Sequence, residues 1–134
     1  MSKLMTLPRA LAFIILVGVL MLGFSHPATA HGWKAPADAA QKINPVNKDQ
    51  ASVERGKAIF LGQCANCHGS QAMGDGPLAK VLKPSPSNLV QRLKNHPEGD
   101  FFWKISFGRN QMPAFKDTLS ETDIWDTINF IHGL

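Results

Sequence analysis

The most constraining feature of the sequence is the five-residue stretch CANCH, which runs from Cys64 to His68. It holds the only two cysteines of the 134-residue chain, three positions apart. Two thiols at this spacing are typical of a redox-active disulfide, of half a zinc site, or of the attachment point of a covalent haem. The rest of the sequence has to discriminate among these three kinds of site.

The redox and zinc interpretations both lack the surroundings that they need. A redox CxxC motif belongs to a strand-helix-strand pattern, whereas the apolar spacing here predicts a helix over 52–63, directly before the motif, and no convincing strand after the N-terminal region. A closed zinc site needs four ligands, and His31, His96 and His132 lie at no recognisable zinc-binding spacing. Both interpretations are therefore disfavoured.

The fifth residue of the stretch favours a covalent haem. Cys-x-x-Cys-His is the attachment pattern of c-type haem. Because positions i and i+3 of a helical turn lie on one face, Cys64 and Cys67 can bond the two vinyl groups along one edge of the macrocycle. His68 then directs its imidazole to the iron. The pattern predicts one haem c, held by two thioethers and a proximal histidine.

The iron has a sixth coordination position, for which the thioether of a methionine suits a cytochrome c. Met73 lies five residues after His68, so it would have to round the haem edge almost fully extended. Met112 lies 44 residues after His68, in a predicted loop that Pro113 stiffens. Met112 is the predicted distal ligand. A core role for Met112, with another histidine or water on the iron, remains the alternative.

The turn after the motif contains a candidate partner for the proximal histidine. A metal-bound imidazole needs an acceptor for the hydrogen on its other nitrogen, usually a backbone carbonyl or a carboxylate. The chain turns back at Gly76 and Pro77, and Pro77 has a carbonyl to offer. We predict that the Pro77 carbonyl orients His68, a role compatible with its place in a turn.

The first thirty residues are typical of a signal peptide. Lys3 and Arg9 form a basic start, which an apolar run over 10–24 follows. Ala28-Thr29-Ala30 then forms a small-x-small cleavage pattern. The 15-residue run is shorter than the roughly 20 residues that span a bilayer. We expect cleavage after Ala30 and a periplasmic location, with an uncleaved anchor as the alternative. An extended lead over 31–50 and one domain over 51–134 would remain.

Charge excludes one class of function. The net charge is +4, and it is +2 without the first thirty residues, which contain two basic residues and no acidic one. No run of Lys and Arg and no interleaved aromatic stripe appears, so nucleic-acid binding is not predicted. A charge this small gives little electrostatic guidance to the identity of a partner.

The segments CANCHG, GDGP, MPAF and LSETDIWDTINFI, in that order, resemble the class I monohaem cytochromes c over about residues 42–134. The resemblance implies an all-α fold of about three to five helices wrapped around one haem, with the first and last helices crossing. It implies that Gly56 and Phe60 on the first helix pack near Phe130 on the last. It also implies that Pro77 accepts the hydrogen bond of His68 and that Met112 is the distal ligand, the same roles that the residues themselves predict.

The function that the resemblance implies is one-electron transfer without catalysis, with protein partners docking transiently at an exposed haem edge. Ala65-Asn66 and Ala114-Phe115 are predicted rim residues of that edge. Trp103 is a candidate for the haem pocket, where its indole could donate to a propionate, although a core role is the simpler interpretation. Two alternatives stay open: a subunit of a larger oxidoreductase, and a haem-based binder of small ligands with an open distal site.

Overall fold

Six α-helices make up the regular structure of residues 32–134, the part of the chain that the computed structural model describes. The predicted signal peptide and its cleavage site lie outside the described residues. In chain order the helices are α1 (Ala37–Ala40), α2 (Gln50–Gln63), α3 (Ala65–His68), α4 (Leu89–Leu93), α5 (Glu98–Phe107) and α6 (Glu121–His132). Within this range the only β-type pairing is an isolated bridge between Arg109 and Met112, so the predicted all-α class is confirmed.

The helix ends follow local capping chemistry. The Asp49 side chain accepts a hydrogen bond from the Ser52 N–H at 2.8 Å, so α2 begins two residues earlier than predicted. An Asp near its start and Gly108 after its end predict a helix over 100–107, and the observed helix α5 also begins two residues earlier, at Glu98. Gly108 ends it with a φ of 59°, a conformation that favours glycine. The prolines at 84 and 86 limit the predicted helix over 78–82 to one short turn, and the structure has such a turn, in which the Leu82 N–H donates to the Leu78 carbonyl at 3.3 Å.

The first long helix and the last cross in direct backbone contact, as the resemblance predicts. A side chain on Gly56 of α2 would overlap the Asp126 carbonyl of α6 and would lie 2.9 Å from the Thr127 nitrogen. Beside this contact the rings of Phe60 and Phe130 pack with centroids 5.4 Å apart. Glycine at position 56 therefore sets how closely the two helices approach.

A buried polar network joins the same two helices. The Asp126 carboxylate is fully buried, and it accepts hydrogen bonds from Ser52 Oγ at 2.5 Å and from Arg55 Nε at 2.7 Å. Asn129 Nδ2 donates to Ser52 Oγ at 2.9 Å. Arg55 keeps half of its side chain in solvent, so its charge is only partly desolvated while it neutralises the carboxylate. Removing one partner would leave a buried charge unpaired.

The segment before α2, which we call the lead (residues 32–49), lies against α5 and α6. Lys42 forms an ion pair with Glu121 at 2.9 Å and lies 4.1 Å above the ring of Phe102. Asn44 Nδ2 donates to Asn129 Oδ1 at 2.9 Å. The lead is extended apart from the short helix α1, which the sequence did not predict.

The hydrophobic core lies between α2, α5 and α6. Trp125 of α6 is fully buried and stacks on Phe102 of α5 with ring centroids 4.5 Å apart. The spacing i, i+4, i+7 predicts one apolar helix face for Ile124, Ile128 and Ile131, and all three are buried in the same cluster. In the range 32–134 no helix combines the length and the apolar character needed to cross a membrane.

We expect Gly56→Ala to lower the free energy of unfolding by about 3 kcal/mol, because the new methyl group would force α2 and α6 apart. Urea denaturation of the purified protein measures the change. Gly62→Ala is the matched control, since a methyl group there meets no atom within 4 Å and alanine is the better helix former by about 1 kcal/mol. Equal effects of the two substitutions would contradict the close crossing.

A second prediction concerns acid stability through the capping box of α6. Hydrogen bonds from the Ser120 side chain and backbone lower the pKa of Asp123. The folded state therefore favours the ionised carboxylate, so its contribution is present above about pH 4 and is lost as the pH falls further. We expect Ser120→Ala to cost about 1 kcal/mol at neutral pH, and less below about pH 4.

Urea titrations of this variant at a series of pH values test the dependence. Thr122→Ala, an exposed change in the same helical turn, is the control, and its effect should not vary with pH in this way. A Ser120→Ala difference that stays constant down to about pH 2 would be inconsistent with the role of Asp123.

Candidate functional site

The CANCH stretch forms one tight helical turn at the end of α2. The Cys64 N–H still donates to the Phe60 carbonyl of α2 at 2.8 Å, and the Cys64 carbonyl accepts from the N–H groups of Cys67 and His68 at 3.1 and 2.9 Å. Both cysteines are free thiols of intermediate burial. Helical geometry over these residues puts Cys64 and Cys67 on one face, as the spacing predicts.

The loop that follows folds back onto the carbonyls of this turn. Gly74, Gly76 and Leu78 donate their N–H groups to the carbonyls of His68, Cys67 and Asn66 at 2.8, 3.2 and 2.9 Å. The carbonyls at the end of a helix would otherwise lack partners. A side chain on Gly76 would lie 2.5 Å from the carbonyl oxygens of Ala65 and Asn66, so only glycine allows this approach.

The His68 imidazole is held by a backbone carbonyl, but from a different residue than predicted. Its Nδ1 lies 3.1 Å from the carbonyl oxygen of Ser87. Burial lowers the pKa of His68, and the Ser87 contact opposes this shift. The imidazole is thus favoured in its neutral form, with Nδ1–H directed to Ser87 and the lone pair of Nε2 available to a metal.

Pro77, the predicted partner, lies exposed in the loop beside the motif. The N–H groups of its neighbours Gly76 and Leu78 donate hydrogen bonds to carbonyls of the CANCH turn. These hydrogen bonds hold the loop against the backbone of the turn. Ser87 reaches His68 because the Leu89 N–H donates to the Ala72 carbonyl at 2.7 Å, which fastens the later segment to the loop. A carbonyl 19 residues after the histidine has no signature in the sequence.

The environment of Cys64 keeps it as a thiol. Burial, with a smaller contribution from Cys67, raises the pKa of Cys64 to about 11. Cys64 is therefore protonated at neutral pH. Addition of an S–H group across a vinyl group forms a thioether, so a protonated thiol on one helical face is the reactant that covalent haem attachment requires.

Met112 lies in the loop between α5 and α6, which we call the Met112 loop (residues 108–119). The backbones of Arg109 and Met112 exchange two hydrogen bonds, of 2.9 and 3.0 Å. The Met112 side chain is partly buried and packs against the same core cluster as Cys64. Met73 differs, because 52% of it is exposed and its sulfur accepts a hydrogen bond from Asn88 Nδ2 at 3.4 Å.

Two other predicted residues lie on α5 and in the Met112 loop. Trp103 is half-buried on α5, with its ring centroid 5.4 Å from that of Phe107, and its role toward a haem stays a prediction. Phe115 was expected at an exposed rim, but only 8% of it is exposed. Its N–H donates to the Ile105 carbonyl at 3.1 Å, which draws the ring into the core.

The donor set fits a c-type haem. Two free cysteines occupy one helical face, an imidazole favoured in its neutral form follows them directly, and Nδ1 of that imidazole is oriented by a carbonyl. A partly buried thioether packs on the same core cluster from a separate loop. Cysteines that form thioethers with the haem edge, together with a histidine nitrogen and a soft methionine sulfur as donors for the iron, are typical of cytochromes c.

Comparison with known proteins identifies the family. Residues 51–131 match the family described as "Cytochrome C oxidase, cbb3-type, subunit III". Cytochrome c6 of Synechococcus elongatus is 27% identical over 81 residues, which cover 60% of this chain and 88% of that protein. Cytochrome c6 of Bumilleriopsis filiformis is 32% identical over 85 residues, which cover 60% of this chain and 90% of that protein.

A solved structure shares the fold. A chain of the Kuenenia stuttgartiensis reducing HAO-like protein complex aligns with a TM-score of 0.57 and 22% identity over 66% of this chain. The match spans about half of that longer chain, 46% of its length. The family match spans more than half of the present chain, and the chain therefore belongs to this family as a small class I c-type cytochrome, an electron-transport protein that carries one covalently bound haem c.

Proposed function

We propose that the protein is a one-electron carrier in a periplasmic chain of redox proteins, with His68 and Met112 as the two axial ligands of its haem iron. The observation that carries the proposal is the packing of Met112 against the same core cluster as Cys64, although the two belong to separate segments. A haem attached at Cys64 would then lie against the same core cluster as the Met112 thioether, which could supply the second ligand of its iron.

The haem, when bound, supplies an iron that changes between the ferric and ferrous states by one electron. The Ser87 carbonyl holds the His68 ring in one tautomer and one orientation. The same hydrogen bond raises the basicity of the ring, which makes it a better ligand for a metal. The soft sulfur of Met112 favours the ferrous state and so raises the reduction potential relative to a second histidine. If His68 and Met112 stay bound in both states, little reorganisation would accompany electron transfer.

The periplasmic part of the proposal rests on the first thirty residues, whose basic start, apolar run and small-x-small site are typical of export. Partners would dock transiently where the attachment motif reaches the surface, through a small and weak interface. Asn66 within the motif is exposed and is a candidate for such contacts. We propose no catalytic residue, since electron transfer needs none.

A second candidate function is favoured by the description of the matched family, which names a subunit of an oxidase. The same domain can serve as the electron-entry subunit of a larger oxidoreductase. Size-exclusion chromatography of an extract from the native host, followed by detection of covalent haem, discriminates the two. Elution at the mass of the single chain supports the free carrier, and elution with a large complex supports the subunit.

Replacement of the distal ligand is the main test. We expect Met112→Ala to abolish the weak absorption band at the red end of the oxidised spectrum, which reports the iron–sulfur bond, and to lower the reduction potential. Loss of the soft thioether removes the preference for ferrous iron. The measurements are absorption spectroscopy and a spectroelectrochemical titration of the haem-loaded variant.

Met73→Ala is the matched control for this experiment, because the Met73 sulfur is bound by Asn88 and half of the side chain is exposed. It should leave the band and the potential unchanged. Retention of the band in Met112→Ala would rule out Met112 as the ligand. Rapid binding of carbon monoxide to the reduced unmodified protein would favour an open distal site instead.

Close packing at Gly108 generates a further prediction about the Met112 loop. A methyl group at this position would lie 2.5 Å from the Met112 carbonyl oxygen and 2.6 Å from the Pro113 carbonyl carbon. The φ of 59° also disfavours alanine. We expect Gly108→Ala to weaken the red-end band and to lower the free energy of unfolding by about 2 kcal/mol.

Spectra recorded against temperature and urea denaturation measure these two effects. Gly62→Ala is again a suitable control, because its added methyl group meets open space. A Gly108→Ala protein with an unchanged band and unchanged stability would contradict the close contact between Gly108 and the ligand loop.

A further inference from the structure

We propose that Trp33 is a positioning residue that holds the Met112 loop closed. The inference rests on the proposed function, in which Met112 binds the iron. Trp33 belongs to the lead, which precedes the family match over 51–131. The comparisons therefore assign the lead no role, although it is fastened to α5 and α6 at several points.

A buried carboxylate fixes the lead next to Trp33. The Ala35 N–H donates to Asp100 Oδ1 at 2.8 Å, and the Lys104 ammonium donates to Asp100 Oδ2 at 2.6 Å. Only 4% of Asp100 is exposed, and both of its oxygens are used. Hydrogen bonds to a buried charge are among the stronger ones. The backbone two residues after Trp33 is thus tied to α5.

Two cations, one from the last turn of α5 and one from the loop that follows this helix, lie over the half-buried indole of Trp33. Lys104 Nζ is 5.5 Å from the ring centroid, and the Arg109 guanidinium carbon is 6.0 Å from it. Both distances are within the range of cation–π attraction, for which tryptophan is the best ring. Lys104 belongs to the helix, whereas Arg109 is the second residue of the Met112 loop.

The link from Arg109 to the ligand runs through the backbone. Arg109 and Met112 exchange two hydrogen bonds across a tight turn, so the two residues move together. Gly108 allows the chain of 112–114 to pack directly against the end of α5. Withdrawal of Met112 from the iron therefore requires Arg109 to leave the Trp33 ring. In this way the lead opposes opening of the loop.

The consequence is an equilibrium between two forms of the Met112 loop. In the closed form Met112 binds the iron, and in the open form Met112 has withdrawn from it. The contact with Trp33 favours the closed form. An added ligand such as imidazole can bind the iron only in the open form, so its apparent affinity rises in proportion to the open population. A cation–π contact of this kind corresponds to about a two- to fivefold change in an equilibrium constant. Imidazole binding to the oxidised protein is thus a direct measure of the closing effect.

The experiment titrates the haem-loaded oxidised protein with imidazole and follows the red-end band. We expect Trp33→Ala to raise the apparent affinity about two- to fivefold, and Trp33→Phe to give a smaller increase because a weaker ring remains. Ile43→Ala is the matched control within the lead. Because 86% of Ile43 is exposed, this variant should leave the affinity unchanged.

Arg109→Gln provides an independent approach from the other side of the contact. It should raise the imidazole affinity by a similar factor, and the double variant with Trp33→Ala should show no further increase beyond either single change. Independent, multiplying effects of the two substitutions would overturn the proposed contact. This variant also keeps the proposal testable if Trp33→Ala fails to fold.

Two outcomes separate this inference from the proposed function. If Met112→Ala loses the band while Trp33→Ala and Arg109→Gln leave the imidazole affinity unchanged, Met112 is the ligand and the role of Trp33 is overturned. If Met112→Ala keeps the band, the proposed ligation fails, and the role of Trp33 fails with it. Loss of thermal stability in Trp33→Ala without a change in imidazole affinity would also overturn it.

Discussion

The contact between α2 and α6 at Gly56 is the constraint on which the rest of the structure depends. Because the two backbones touch there, the Asp126 carboxylate is removed from water and must be satisfied inside the protein. Ser52 and Arg55 satisfy it from the same helix that carries Gly56. The crossing and the polar network are thus one arrangement, and the CANCH turn follows directly at the end of α2.

The attachment turn is positioned mainly by backbone groups. N–H groups of the following loop occupy its carbonyls, and another backbone carbonyl orients its histidine. Contacts of this kind depend little on side-chain type, apart from the glycines that let the chain approach. A family member can therefore keep its haem site while the surrounding sequence changes widely, which agrees with relatives at 27% to 32% identity.

Sequence reasoning was accurate where the determinant is local. Ser120 followed three residues later by Asp123 predicts a capping box, and both of its hydrogen bonds are present. Gly108 likewise ends α5, as a glycine after the last helical residue predicts. Sequence reasoning was inaccurate where a distant segment of the chain determines the burial or the partner of a residue. Phe115 is buried because its N–H pairs with the Ile105 carbonyl, and His68 meets Ser87 because the loop after the motif holds the later segment beside it.

The sequence by itself determined the cofactor of the protein, because five adjacent residues carry the Cys-x-x-Cys-His pattern of covalent haem attachment. It also determined the helical class, since apolar spacing and capping act over a few residues. Only the tertiary structure decided which carbonyl orients His68 and how the lead reaches the Met112 loop. Those contacts join positions 19 and more residues apart, for which nothing in the local pattern specifies a partner.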